Sequence, residues 1–80
     1  MHFGDLLRSA RETRRMTQGQ LARASGVPQP YIWHLETGRR SQPTAEVFAA
    51  LLYALHLHPD EYGPMLRLLA DRRLPQEKAA

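Results

Sequence analysis

Cysteine is absent from this 80-residue chain, which excludes a disulfide framework, a thiolate nucleophile and a thiolate zinc site. No apolar run approaches the ~20 residues of a membrane span, and the N-terminus lacks the charged-then-apolar pattern of a secretory leader. The expectation is a soluble cytoplasmic protein with no membrane partner. Four histidines are present without an acid cluster at ligand spacing, so no metal or other cofactor is expected. Ser9, Ser25 and Ser41 have no His and acid at a recognisable catalytic spacing, and no Gly-rich loop is present to cradle a phosphate. Eighty residues allow one small domain with a thin core and little room for a closed cavity. An enzyme is therefore not expected.

The charge that is present is unevenly placed. The net charge is +3. Residues 1–40 carry seven arginines against three acids, whereas residues 41–80 carry four basic residues against five acids. A basic first half suits a polyanionic partner, although a solvated basic surface has the same composition.

Periodicity indicates helices and no convincing strand. Phe3, Leu6, Leu7 and Ala10 have helical spacing over Phe3 to about Arg15, with His2 or Gly4 near the start. Thr17 and Gln20 form a capping box at the head of a second helix, and Gly26 can end it in the left-handed conformation. Val27, Ile32 and Leu35 continue the apolar face into a third helix that stops at Gly38. A short helix, a glycine turn and a second short helix make a helix-turn-helix, which presents its second helix to the DNA major groove. Pro43 and Thr44 open a fourth helix through Val47, Phe48, Leu51, Leu52 and Leu55. It is apolar nearly all round and is expected to be the central core helix. A fifth helix starts at Pro59 or Asp60, with Gly63 and Pro64 in or before its first turn. Its apolar stripe is Tyr62, Met65, Leu66 and Leu69. Residues 1–73 are read as one domain and residues 74–80 as a frayed tail.

The segments LLRSARETRRMTQGQLARASGV, YIWHLETGRR and PTAEVFAALLYAL, in that order, resemble the phage-repressor and Cro-like, or XRE, family of regulators. The resemblance covers residues 3–57, and more loosely 58–70. It implies an all-α, five-helix lambda-repressor-like domain that binds double-stranded DNA, usually as a homodimer on an inverted repeat. Three residues depart from the family pattern. Pro28 stands where a Ser or Thr cap is common, Pro30 where a polar base reader is common, and Gly19 where a strong helix former is common. Pro28 and Pro30 are tolerable because first-turn N–H groups have no intrahelical partner, but Pro30 disfavours the helical region at Gln29, so the recognition helix is expected to start distorted or stiffened.

By this resemblance, Gln29, Pro30, Tyr31, Trp33 and His34 are the base-contacting candidates, and glutamine can pair bidentately with adenine. Tyr31, Trp33 and His34 are read as sharing the face opposite Ile32 and Leu35. For Trp33 three roles stay open: packing on sugar or a thymine methyl, folding back beside the fourth helix, or a dimer contact. Thr17, Gln18, Thr37, Arg39 and Arg40 are the phosphate-contacting candidates. Arg11, Arg14 and Arg15 extend the basic face or pair with Glu12. The family pairs the acid at Glu36 with a basic residue of the first helix, here Arg11. Tyr62, Met65, Leu66 and Leu69 are the candidate dimer interface, with Leu66 turned inward and Met65 or Leu69 at the rim; the same stripe is also read as core cover against Leu52 and Leu55. The function expected is a sequence-specific transcriptional repressor. The alternative is an antitoxin that binds a protein toxin, through the segment after Asp60, and its own promoter.

Overall fold

A computed structural model describes residues 2–79, with side chains described for residues 2–69. Five helices follow one another: α1 (Phe3–Thr13), α2 (Gln18–Ser25), α3 (Gln29–Thr37), α4 (Ala45–Leu55) and α5 (Pro59–Ala79). The fold is all-α, and no strand occurs among the described residues. None of the described helices is long and apolar enough to cross a membrane. The boundary expected at residue 73 and the tail at 74–80 fall outside the residues whose side chains are described.

Local chemistry explains where the helices start and stop. The Asp5 carboxylate accepts the His2 backbone N–H at 3.0 Å, at the head of α1. α1 ends at Thr13, two residues sooner than periodicity suggests, because Arg15 turns into the left-handed region at φ 55°. The expected capping box heads α2: Gln20 N–H donates to Thr17 Oγ1 at 3.0 Å, and Thr17 N–H to Gln20 Oε1 at 2.8 Å. Gly26 closes α2 at φ 79° and donates its N–H to the Ala22 carbonyl.

The two prolines are accommodated at the start of α3, as their first-turn position leads one to expect, and Gln29 is helical although Pro30 follows it. The helix begins at Gln29, and the Pro28 carbonyl accepts from Tyr31 and Ile32 N–H groups at 3.0 and 3.2 Å. Pro30 occupies the first turn, where its missing N–H has no intrahelical acceptor to leave unpaired. Thr44 caps α4 by accepting from Val47 N–H at 3.2 Å. α5 begins at Pro59, so Gly63 and Pro64 lie inside it. Its head is fixed by the Glu61 carboxylate accepting the His58 N–H at 3.1 Å.

The core draws one to three side chains from every helix. Leu7, Leu21, Ile32, Leu35, Leu51, Leu55 and Met65 are fully buried. Each contributes roughly 1.5–3 kcal/mol by leaving water. Phe3 and Phe48 meet edge to face with centroids 5.8 Å apart. α4 is not the central helix that its composition suggests. Only Leu51 and Leu55 are buried along it, and Tyr53 is 79% exposed. Among the described residues no further layer covers the outer side of α4. α5 packs chiefly on α1 and turns Met65 inward and Leu66 outward, the reverse of the arrangement expected.

Two glycines make opposite demands on this packing. At Gly4 a Cβ would overlap the Leu35 carbonyl oxygen, so α1 and α3 approach too closely for any side chain. At Gly19 the nearest atoms to a Cβ would be Gln29 Oε1 at 3.6 Å and Thr17 Oγ1 at 3.8 Å, which is ordinary contact. Gly4→Ala should cost at least about 1–3 kcal/mol by overpacking. Gly19→Ala should add about 0.5–1 kcal/mol, the helical penalty of glycine. Urea unfolding of the two variants should move the midpoint in opposite directions; a shift of the same sign in both would contradict this packing.

Candidate nucleic-acid interface

The position of α3 is set by Glu36, the one charged residue among the buried ones described. Its carboxylate accepts from Arg11 Nε at 2.7 Å and Arg11 Nη2 at 2.9 Å, a bidentate pair. Gln18 Nε2 donates to it at 3.0 Å, and Arg8 Nε lies 3.5 Å away. Arg11 Nη1 donates further to the Met16 carbonyl at 2.7 Å. One carboxylate thus ties α1, the head of α2 and the end of α3 together. Burial pushes the Glu36 carboxyl up, but the hydrogen bonds and charges of Arg11, Gln18 and Arg8 outweigh it and hold the group below its ordinary value.

With its inner side held by Ile32, Leu35 and Glu36, α3 leaves Gln29, Pro30, Trp33, His34 and Thr37 exposed. These form one outward surface, and Gln29 lies beside Gly19 at the start of α2. Trp33 is 41% exposed and meets His34 edge to face at 5.3 Å. Arg39 sits over its ring, 5.1 Å from the centroid. Tyr31 does not share this face as expected. It is half-buried, accepts a long contact from Thr44 N–H at 3.4 Å, and has Arg40 over its ring at 4.5 Å. Tyr31 and Trp33, two residues apart on a helix, therefore point to nearly opposite sides of it, Trp33 within the exposed surface and Tyr31 away from it.

Beyond α3, Gly38 turns the chain at φ 83°, and Arg40 N–H donates to the His34 carbonyl at 3.0 Å. Arg39 and Arg40 are exposed. Thr37 Oγ1 donates to the Trp33 carbonyl at 2.8 Å. At the head of α2, Thr17 is exposed and its hydroxyl accepts from Gln20, while the Gln18 amide is turned toward Glu36. The amide of Gln18 is thus committed to holding Glu36.

Two of the arginines read as part of the basic face are internal. Arg11 belongs to the Glu36 pair. Arg14 pairs with Glu61 rather than Glu12, at 2.7 and 2.9 Å, and also donates to the Ala10 and Leu55 carbonyls. It joins α1 to the end of α4 and the start of α5. The 47-residue separation of Arg14 and Glu61 leaves no periodic trace in the sequence. Arg15 remains exposed. Among the described residues no group of three or more His, Asp or Glu side chains converges as a metal site.

A helix-turn-helix closed by Gly26, with the second helix projecting polar and aromatic side chains, is thus in place. The protein-family model for a helix-turn-helix domain matches residues 2–63. The chain belongs to the helix-turn-helix domain family. Its relatives are regulators of the same kind by name. It is 41% identical over 54 residues to an uncharacterised HTH-type transcriptional regulator of Mycobacterium tuberculosis (strain H37Rv), covering 68% of this chain and 38% of that protein. It is 40% identical over 55 residues to the HTH-type transcriptional repressor RghR of Bacillus subtilis (strain 168), covering 69% of this chain and 41% of RghR. The helix-turn-helix chain thus spans about two-fifths of the length of these relatives. No solved structure matches it significantly.

The Arg14–Glu61 pair gives the helix-turn-helix domain a defined acid response. The Arg14 hydrogen bonds, with the His58 N–H, lower the Glu61 carboxyl to about 2 from its ordinary 4.5. A carboxyl depressed in the folded state contributes stability above its unfolded pKa and loses it as pH falls through the folded one. The contribution is therefore complete above about pH 5 and fades between pH 4.5 and about 2. Glu36 adds in the same direction. Urea unfolding at pH 6 and pH 3 should show a smaller loss of stability in Glu61→Gln than in the wild type. Equal losses would mean that Glu61 is not held by Arg14.

Proposed function

We propose that this domain is a transcriptional repressor that binds operator DNA through α3, as a symmetric homodimer on an inverted repeat. The observation that carries the reading is the outward surface of α3, with Gln29, Pro30 and His34 exposed and two exposed arginines directly following. An α-helix fits the major groove, and the N-terminal residues of the second helix are the ones that reach base edges in this motif. Gln29 is the direct reader, with its amide suited to adenine N6 and N7. Pro30 offers an apolar ring to a thymine methyl, and His34 lies one turn further along. Thr17, Thr37, Arg39 and Arg40 contact phosphates, and the backbone at the head of α2 supplies N–H groups to an anion. Gln18 acts there through Glu36. The HTH-type regulator and repressor relatives support the class of activity.

In-vitro selection of bound duplexes tests this reading directly. The wild type should enrich one motif. Gln29→Ala should relax one base pair per half-site, at a cost of about 1–3 kcal/mol there. Arg39→Ala with Arg40→Ala should leave the motif unchanged and reduce the slope of log K against log salt by about 1 for each phosphate no longer neutralised. Failure to enrich any motif would reject sequence-specific binding.

The dimer surface is α5. Met65 is withdrawn from it, being only 1% exposed, and Leu66, 45% exposed, takes its place. Tyr62 and Leu69 are half-buried beside it. A two-fold interface here has to space two recognition helices for successive major grooves, about 34 Å apart. Analytical ultracentrifugation at micromolar concentration should find a dimer that Leu66→Lys dissociates. A monomer that binds one half-site with one-to-one stoichiometry would rule the dimer out.

A further inference from the structure

Two consecutive arginines leave the end of α3, and each has an α3 ring beneath it. The Arg39 guanidinium carbon is 5.1 Å from the Trp33 centroid, and that of Arg40 is 4.5 Å from the Tyr31 centroid. The two rings lie on opposite flanks of the helix, so the two side chains diverge. Their backbone is fixed by the left-handed Gly38 and by the bond from Arg40 N–H to the His34 carbonyl at 3.0 Å. Among the described residues neither Arg39 nor Arg40 forms a salt bridge, whereas Arg8, Arg11 and Arg14 each face a carboxylate.

This combination has a specific chemical consequence. A ring attracts a cation through its quadrupole and takes up no N–H donor. Each guanidinium therefore keeps its donors for an anionic oxygen. It is also restrained before it meets one, which lowers the ordering cost of binding. A neutralised arginine, like Arg14, offers neither its charge nor its full set of donors.

We propose that Trp33 and Tyr31 are positioning residues, not base readers: they hold Arg39 and Arg40 as a two-pronged clamp, astride α3, for backbone phosphates. The proposal rests on α3 and its exit loop being the DNA-contacting face. Trp33 then acts on affinity through Arg39 and carries no sequence preference of its own.

The test has two arms. Trp33 is the only tryptophan, so its fluorescence reports the Arg39 stack in the free protein. Arg39→Ala should increase acrylamide quenching, while Arg23→Ala should not; unchanged quenching in Arg39→Ala would overturn the stack. The second arm measures binding of a labelled duplex obtained by in-vitro selection. Trp33→Ala should weaken binding about two- to fivefold, the range of an exposed cation–π pair, and Trp33→Phe should recover most of it. In an Arg39→Ala background Trp33→Ala should have no further effect. Losses that multiply, or a base preference altered by Trp33→Ala, would overturn the positioning role. A wild-type chain that binds no duplex would reject the DNA reading and the clamp's target together, while the quenching arm decides separately whether the stack exists.

Discussion

The buried carboxylate of Glu36 is the constraint on which the rest of this structure depends. Helices this short do not hold their positions by propensity, because nucleation is costly and few turns follow it. Their relative placement must come from contacts between them. Apolar packing supplies most of the energy but is tolerant of orientation, whereas a bidentate arginine pair is not. Glu36 lies at the end of α3 and takes hydrogen bonds from α1 through Arg11 and from α2 through Gln18. The backbone of α1 also closes on α3 at Gly4, where no side chain fits. The angle at which α3 leaves the body of the domain is therefore fixed at two points. Breaking a buried pair by removing one partner typically costs about 3–5 kcal/mol, which is most of the stability of a marginal small domain.

The same arginines that suggest a polyanion partner are divided between two tasks. Arg11 and Arg14 face inward and neutralise Glu36 and Glu61. Arg39 and Arg40 face outward with aromatic rings beneath them. Half-chain composition counts all of these alike. What distinguishes them is the acid that each meets across the fold, and both acids come from distant segments. Net charge therefore overstates how basic the α1 side of the molecule is, and understates how concentrated positive charge is at the exit of α3.

Much of the architecture is legible in the sequence because its causes are local. The Thr17–Gln20 box, the Gly26 and Gly38 turns and the Thr44 cap each act within three or four residues, and each is found where local chemistry puts it. The Arg11–Glu36 pair is implied by the family resemblance and is present. What is not legible depends on long-range packing. Met65 and Leu66 exchange their expected places because two adjacent apolar residues on a stripe do not say which will face the neighbouring helix. The exposed side of α4 depends likewise on which elements pack against it, which its own composition does not say. The tolerance of Pro30 in the first turn of α3, by contrast, is a local matter and is legible. For the candidate site, helical spacing places Gln29, Trp33 and His34 on one face and, applied strictly, sets Tyr31 off it, while the partners of Gln18, Tyr31 and Trp33 are ones that only the folded chain brings together.

The central claim is that α3, held by Glu36, meets DNA with its exposed surface and the loop that follows. Titration of the isotopically labelled chain with a selected duplex, followed by backbone amide chemical shifts, tests it most directly. The account predicts shifts concentrated at Thr17–Gln20, Gln29–Thr37 and Arg39–Arg40, with Tyr53 and the outer side of α4 unmoved. Shifts centred on α4 or α5, with the amides of α3 unperturbed, would contradict it.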